Sequence, residues 1–343
     1  MRAADAIAEA IRAHGPIAFD EFMELALYGE HGYYAEPPIG PRGDFVTSPH
    51  VHPVFAELLA RAIVDLHALL GSPRPFRVAE VGAGDGTLAR ELLPHLAPLD
   101  PAYTAIDRSS GARGALERID GIEVADRPTG EPHLVLANEL LDNLPFRRFR
   151  GTRDGTREVL IGLGPDGFVE QLAPVGDEGS VLDDGEERVL PSGAIAFLDE
   201  VAARLARPGA ALLIDYAAAG EPGSTVHGYR DQRPVDDLLA DPGSTDITAG
   251  VDLALVAEHA ERAGLVAFPP VTQRHALAAL GFDRWIHEEL DRQTRLLDER
   301  DGLGAVRTWS GRSRATLLVD PSALGRLRWL LLTTPGVRAP SWV

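Results

Sequence analysis

The chain has 343 residues, 45% hydrophobic and 25% charged, a balance that suits one large α/β domain with additions or two domains sharing a cleft and excludes a disordered or membrane-embedded chain. A formal net charge of −19 repels phosphate backbones, and the 33 basic residues form no cluster, so extended nucleic-acid binding is not expected. Cysteine is absent, which excludes disulfides, thiolate zinc sites and a cysteine nucleophile, and so is lysine, which removes a Walker A lysine, a Schiff base and a lysine general base.

The opening residues mix Arg2 and Arg12 with Asp5 and Glu9, an amphipathic helix rather than a signal or transit peptide, and the expected location is cytoplasmic. Residues 3–13 and 17–27 read as two helices, with Ile7 and Ile11 on one face of the first and Phe19, Phe22, Met23 and Ala26 on the second. Tyr28 to Thr47 is rich in glycine and proline, a functional loop or lid. Ser48-Pro49 has the form of an N-cap followed by proline, opening a helix that ends near Gly71. From Arg77 short apolar strands alternate with helices: strand 77–81, helix 86–96, strand 102–106, helix 110–118, then strands 121–125 and 133–137. Such alternation implies a parallel, Rossmann-like doubly wound sheet. Residues 151–190 read as a β-rich insertion with a solvated acidic turn at 183–187. Helix 193–206 and strand 210–215 resume the sheet, helices 251–263 and 282–298 follow, and 315–319 is the expected last strand.

The strongest local signal runs from Val78 to Leu88, a strand entering a glycine turn that opens a helix. Thr87 occupies the position where a dinucleotide fingerprint needs Gly or Ala, and the E-x-G-x-G-x-G spacing from Glu80 to Gly86 suits S-adenosylmethionine (SAM) better. On that reading Glu80 reaches toward the methionine amino group, while Gly82, Ala83 and Gly84 leave room for the amino-acid and ribose portions. A plain tight turn packing helix on strand is the alternative. Asp107, ending the second strand, could accept both ribose hydroxyls or cap the next helix, and Asp126 after the third strand could receive the adenine amino group.

After the fourth strand, Asn138, Glu139 and Asp142 crowd the mouth where open α/β sheets meet ligands. Glu139 and Asp142 could orient a cationic acceptor through charge-assisted bonds; helix capping in a solvated turn is the other reading. His50-x-His52 lacks the spacing and acidic neighbours of a metal site, so no metal is expected, and no G-x-S-x-G elbow occurs. Arg42-Gly43-Asp44 matches an adhesion tripeptide by coincidence, since nothing gives it an extracellular setting.

Taken together these segments resemble the MidA-like SAM-dependent methyltransferases, the family that includes the mitochondrial complex I assembly arginine methyltransferase. The resemblance runs from Phe19 to Phe282 through Gly32-Tyr33-Tyr34, Gly43-Asp44-Phe45-Val46-Thr47-Ser48-Pro49, the Glu80 to Leu88 loop, Ala137-Asn138-Glu139, Ile214-Asp215-Tyr216, Asp246-Ile247-Thr248-Ala249 and Thr272-Gln273. It implies a class I methyltransferase sheet with an N-terminal helical addition and an inserted β-rich, substrate-side region. It implies that Gly43, Phe45, Thr47 and Ser48 lie against SAM, and that Asp44 joins Glu139 and Asp142 in the catalytic cleft. The chain departs from the family at Asp107, where glutamate is usual, at Ala217 in place of glycine and at Gly250 in place of histidine.

The expected division is a helical cap and lid loop over 1–72, a SAM-binding core over 73–150 and 191–320, the insertion 151–190 and a C-terminal tail 321–343. The expected function is methyl transfer from SAM to a protein arginine; the alternatives are a small-molecule methyltransferase and an assembly factor that binds SAM without transfer. The expected partner is a protein substrate, with neither nucleic acid nor membrane, and a homodimer is an open option.

Overall fold

The computed structural model describes residues 2–35, 47–175, 182–217, 226–230 and 233–343. Helix α1 (Ala3–His14) buries Ala3, Ile7, Ala8 and Ile11 along one face. Residues 17–27, expected as one helix, divide into strand β1 (Ile17–Ala18), helix α2 (Phe19–Met23) and a π-helical turn, Glu24–Tyr28. Ile17 and Ala18 are held extended by antiparallel pairing with Ile161 and Leu160, a partner no local periodicity reveals. The single helix expected from Ser48 is also two, α3 (Ser48–Val51) and α4 (Val54–Leu69), with Thr47 rather than Ser48 at the N-cap. The break falls at extended His52, the residue before Pro53, where proline disfavours helical backbone.

Units of strand and helix follow: β2 (Phe76–Val81), α5 (Thr87–Leu96), β3 (Pro101–Ile106), α6 (Ser110–Leu116), β4 (Ile122–Ala125) and β5 (Leu134–Asn138). Next, β6 (Arg147–Thr152), β7 (Gly155–Gly164), β8 (Gly167–Pro174) and β9 (Glu187–Leu190) join β1 in a second, antiparallel sheet, which begins before the expected boundary at 151. Phe19, Phe22, Met23, Leu27, Phe146 and Ile161 form one cluster, so the N-terminal helices pack on this sheet. Helix α7 (Ser192–Arg204) and β10 (Ala210–Asp215) return to the main sheet, and β11 (Val226–Arg230), β12 (Arg233–Val235) and β13 (Asp246–Ala249) make a third, small one. The chain continues through α8 (Leu253–Arg262), β14 (Val266–Ala267), β15 (Val271–Thr272), α9 (Gln273–Ala279), α10 (Phe282–Asp298), α11 (Gly302–Ala315) and β16 (Arg328–Thr333).

The main sheet runs β14-β16-β10-β5-β2-β3-β4, with β15 also on β16. Strands β10, β5, β2, β3 and β4 are parallel, and β16 is antiparallel to β10. Alternate residues face opposite layers: Leu134, Leu136, Leu212, Ile214, Trp329 and Leu331 meet α4, α5 and α9, while Val135, Ala137, Ala211, Leu213, Leu330 and Leu332 meet α7 and α8. The expected doubly wound sheet is present, and its order reverses between β2 and β5, which opens a crevice at their carboxyl ends.

Two expectations near the chain's end are corrected. Residues 315–319 are not a strand: Ala315 ends α11 and Thr316–Leu318 is a 3-10 turn, with Ala315 and Leu318 buried at helical spacing. The last strand is β16, inside the segment 321–343 that was expected to be a tail. Trp329 to Leu332 is buried on both faces, so it carries no polar alternation to mark it as a strand.

Candidate active site

At the carboxyl end of β2 the backbone turns through left-handed φ at Gly82, Gly84 and Gly86 (75°, 56° and 75°). The N–H groups of Gly82 and Ala83 donate to the Ile106 carbonyl at 2.9 and 3.1 Å, which pins the loop to the end of β3. Asp107 completes the attachment: Oδ2 accepts from the Gly84 N–H at 2.9 Å and Oδ1 from the Ser109 N–H at 2.8 Å. Burial raises the Asp107 carboxyl above its ordinary range against these two bonds. Each oxygen keeps a further lone pair for a ligand hydroxyl. Glu80 is buried and accepts from the Tyr103 hydroxyl at 2.7 Å; burial, opposed by that bond and reinforced by the charges of Asp107 and Asp85, pushes it up to about 8.

Thr47 and Ser48 reach the loop from α3. Thr47 Oγ1 lies 2.8 Å from His50 Nδ1, and His50 Nε2 lies 3.1 Å from Asp85 Oδ2 inside the glycine loop. Burial pushes Asp85 up, yet the bonds from His50 and Thr87 outweigh it and hold its carboxyl below the usual range. The buried Ser48 hydroxyl faces Gln273, 3.4 Å from Oε1, so Ser48 meets the mouth of the sheet only through its backbone N–H. Gly43, Asp44 and Phe45 lie outside the described residues. Asp126 is exposed, with Oδ1 4.0 Å from Arg127 Nε, and it makes no bond to the loop among the described contacts.

The mouth of β5 is acidic. Glu139 adopts φ 52°, a conformation that costs a non-glycine residue about 1 kcal/mol and is held here by its N–H bond to the Ile214 carbonyl at 2.7 Å. Its Oε1 accepts the Ser48 N–H at 2.9 Å and Asn138 Nδ2 at 3.3 Å. Burial, opposed by the Ser48 bond, pushes Glu139 up to about 7. Asp142 Oδ2 accepts from the Thr248 hydroxyl at 3.0 Å, and burial pushes its carboxyl up to about 6. Asp215, fully buried below them, accepts the N–H groups of Leu140 (3.0 Å), Leu141 (2.6 Å) and Tyr216 (2.8 Å); burial and the facing Asp142 hold it well above the ordinary range. Asn138 Oδ1 and Asp142 Oδ1 are buried acceptors with no donor among the described residues. Such atoms cost about 1–3 kcal/mol each unless a bound molecule supplies N–H groups, so the crevice is built for a ligand rich in donors or positively charged.

Several residues given no role from the sequence stand beside these acids. Tyr34 donates to Asp246 Oδ1 at 2.7 Å, Asn143 Nδ2 donates to the same oxygen at 3.1 Å, and Tyr28 donates to the Asn143 carbonyl at 3.0 Å. The Tyr28 and Tyr34 rings stack at 5.4 Å, and the Arg108 guanidinium lies 4.7 Å from the Tyr28 ring centre, turned to Glu24. Asp215, Asp246 and Thr248 stand out in the sequence only as parts of the family resemblance; their partnership with residues 139–143 arises from the tertiary fold.

A family model described as S-adenosyl-L-methionine-dependent methyltransferase matches residues 58–271. The chain is 31% identical over 326 residues to the mitochondrial protein arginine methyltransferase NDUFAF7 of Xenopus tropicalis, covering 80% of this chain and 74% of that protein. It is 28% identical over 330 residues to NDUFAF7 of Homo sapiens, covering 82% and 74%. A Burkholderia thailandensis protein, solved as a crystal structure bound to S-adenosyl-homocysteine, superimposes with a TM-score of 0.84 at 26% identity, covering 98% of this chain and 92% of that one.

Proposed function

We propose, from the premise that this chain belongs to the S-adenosyl-L-methionine-dependent methyltransferase family and is a SAM-dependent enzyme with the class I fold, that its methyl acceptor is a protein arginine. The observation that carries the proposal is the buried Asp142 Oδ1, an acceptor with no donor among the described residues, in the same mouth of β5 as the buried Glu139 carboxylate. A guanidinium brings five N–H donors and a charge in one planar group, which matches two carboxyl groups close enough for the charge of one to raise the other. The named relatives act on protein arginine, and that is the second support.

When bound, SAM supplies an electrophilic methyl group on a sulfonium. The proposed holders are Glu80, Gly82, Ala83, Gly84, Asp107 and Asn138, with Thr47 and Ser48 at the edge and Gly43, Phe45 and Asp126 as outer candidates. Glu139 and Asp142 orient the guanidinium, bias its charge toward one nitrogen and keep water from that face; Asp44 is the proposed third acid. Transfer leaves the guanidinium with one proton to lose, and Glu139, pushed up to about 7, can hold that proton at neutral pH. The proposed setting is cytoplasmic, whereas the relatives are mitochondrial by name; among the described residues no helix is long and apolar enough to cross a membrane.

The decisive variant is Glu139→Gln, which keeps the shape and the Ser48 bond but removes the charge. SAM affinity should stay within a few-fold while turnover falls by about 10²-fold or more, the scale of one preorganised electrostatic contact. In the parent, log kcat/KM should rise with a slope near one below about pH 7 and then level, and the variant should lose that inflection. Loss of SAM binding instead would assign Glu139 to the cofactor. Release of S-adenosylhomocysteine only with metabolites would make the acceptor a small molecule, and no release with any acceptor would leave a SAM-binding assembly factor.

A further inference from the structure

Helices α10 and α11 pack side by side, with Arg312 of α11 donating to Gln293 Oε1 of α10 at 2.9 Å. On a different face α11 carries Arg307, Gly311 and Arg314, spaced i, i+4 and i+7 and so in line along the helix. This face borders a cavity of about 520 Å³ whose walls include Trp285 of α10 and His52, the residue after α3. The acids of the cavity already have partners: Glu57 pairs with Arg61 at 2.6 Å and Glu289 with Arg292 at 3.5 Å. Arg307 and Arg314 have no ion-pair partner among the described residues. His52 adds a third donor. Its Nδ1 accepts the Val54 N–H at 3.1 Å, and burial with the Arg314 charge, against Glu289 and Glu57, holds the ring below its usual range. The imidazole is therefore neutral at pH 7 with its proton on Nε2. That N–H has no acceptor among the described residues and lies beside Gly311, where a Cβ would stand 3.3 Å from it. Glycine is unfavourable inside a helix, and here its bare backbone keeps the gap between the two arginines open. The two histidines of His50-x-His52 thus have different neighbours: His50 bonds Asp85 of the glycine loop, and His52 faces α11.

We propose that this cavity binds a small phosphate monoester, with its phosphate in the gap at Gly311, held by Arg307, Arg314 and the His52 Nε2–H, and its organic group beside Trp285. The proposal is independent of the methyl acceptor. Two unpaired guanidiniums call for about two negative charges in one group. A phosphate monoester carries about −1.5 to −2 at pH 7 and presents three acceptor oxygens, one for each donor group, whereas a carboxylate brings one charge and two oxygens. The volume lies within the roughly 300–1,000 Å³ of small-molecule sites, so an organic group has room beside the phosphate. A chain with a net charge of −19 repels an anionic membrane or a polynucleotide over most of its surface, which favours a small, diffusible anion.

Calorimetry on the full chain in phosphate-free buffer tests this, with phenyl phosphate as the probe and S-adenosylhomocysteine present to fill the SAM crevice. The parent should bind one phenyl phosphate with a Kd on the order of 100 μM. Arg307→Gln and Arg314→Gln should each weaken binding by at least about 10-fold, the scale of a lost hydrogen bond to a charged group. Arg295→Gln removes the same charge from α10 outside the cavity and should leave the affinity unchanged. All three side chains are exposed, so each variant should keep the parent's thermal midpoint. Benzoate, with the same ring and a single charge, should bind at least about 10-fold more weakly than phenyl phosphate. No binding by the parent, binding that survives both cavity substitutions, an equal loss in Arg295→Gln, or benzoate as tight as phenyl phosphate would overturn the proposal.

Discussion

Gly84 stands at φ 56° with its N–H committed to Asp107, so a side chain there meets two obstacles at once. A β-branched residue is disfavoured in left-handed backbone by about 1–2 kcal/mol, and relieving that strain would shift the N–H away from Asp107. Gly84→Val should therefore abolish SAM binding by calorimetry while the protein still unfolds cooperatively at a lowered midpoint. Unchanged affinity would remove the glycine loop from the cofactor site. Glu139, at φ 52°, is the opposite case: a non-glycine residue accepts the strain, and the N–H bond to Ile214 and the Ser48 bond to its carboxylate hold it in place. Such retention of strain at a buried acid is the pattern of a residue kept for what it binds.

The central strand–helix units were legible because their signals are local. The glycine turn after β2 needs only its own backbone, and the strands of the parallel sheet stand out as short apolar runs. What escaped was decided by partners far along the chain. Ile17 and Ala18 become a strand only against Ile161, and Asp215 gains its place only because the N–H groups of Leu140 and Leu141 need an acceptor. The runs 315–319 and 327–332 are both short and apolar, and nothing within either says that the second one fills the edge of β10. That edge gives the element-scale prediction. Leu331 is buried between β10 and the α4–α9 layer, so Leu331→Ala should destabilise by about 2–5 kcal/mol, read as a lower urea midpoint with an unchanged m-value. A loss below about 1 kcal/mol would mean that the β16 edge is not packed as described.

For the molecule as a whole, five site carboxyls are raised together: Glu80 to about 8, Glu139 to about 7 and Asp142 to about 6, with Asp107 and Asp215 also held above the ordinary range. Each is protonated in the fold and ionised in the unfolded chain once pH passes its ordinary value, so between about pH 4.5 and 8 the native state binds more protons. Stability is then fully present below that window and is lost as pH rises through it, at a slope of at most about 1.4 kcal/mol per pH for each proton held only by the native state. The thermal midpoint of the ligand-free protein should fall from pH 5 to pH 8, and Glu80→Gln with Glu139→Gln should flatten the decline at fixed salt. An undiminished decline would assign it to the overall negative charge instead. The position of β16 bears on a different property, the order in which the protein can be made. Strand β10 must wait for a neighbour that leaves the ribosome more than a hundred residues later, a delay on the order of ten seconds at ~5–20 residues per second. During translation the nascent chain therefore presents a bare apolar strand edge to its surroundings, and a holding chaperone has a reason to visit it until residue 333 emerges.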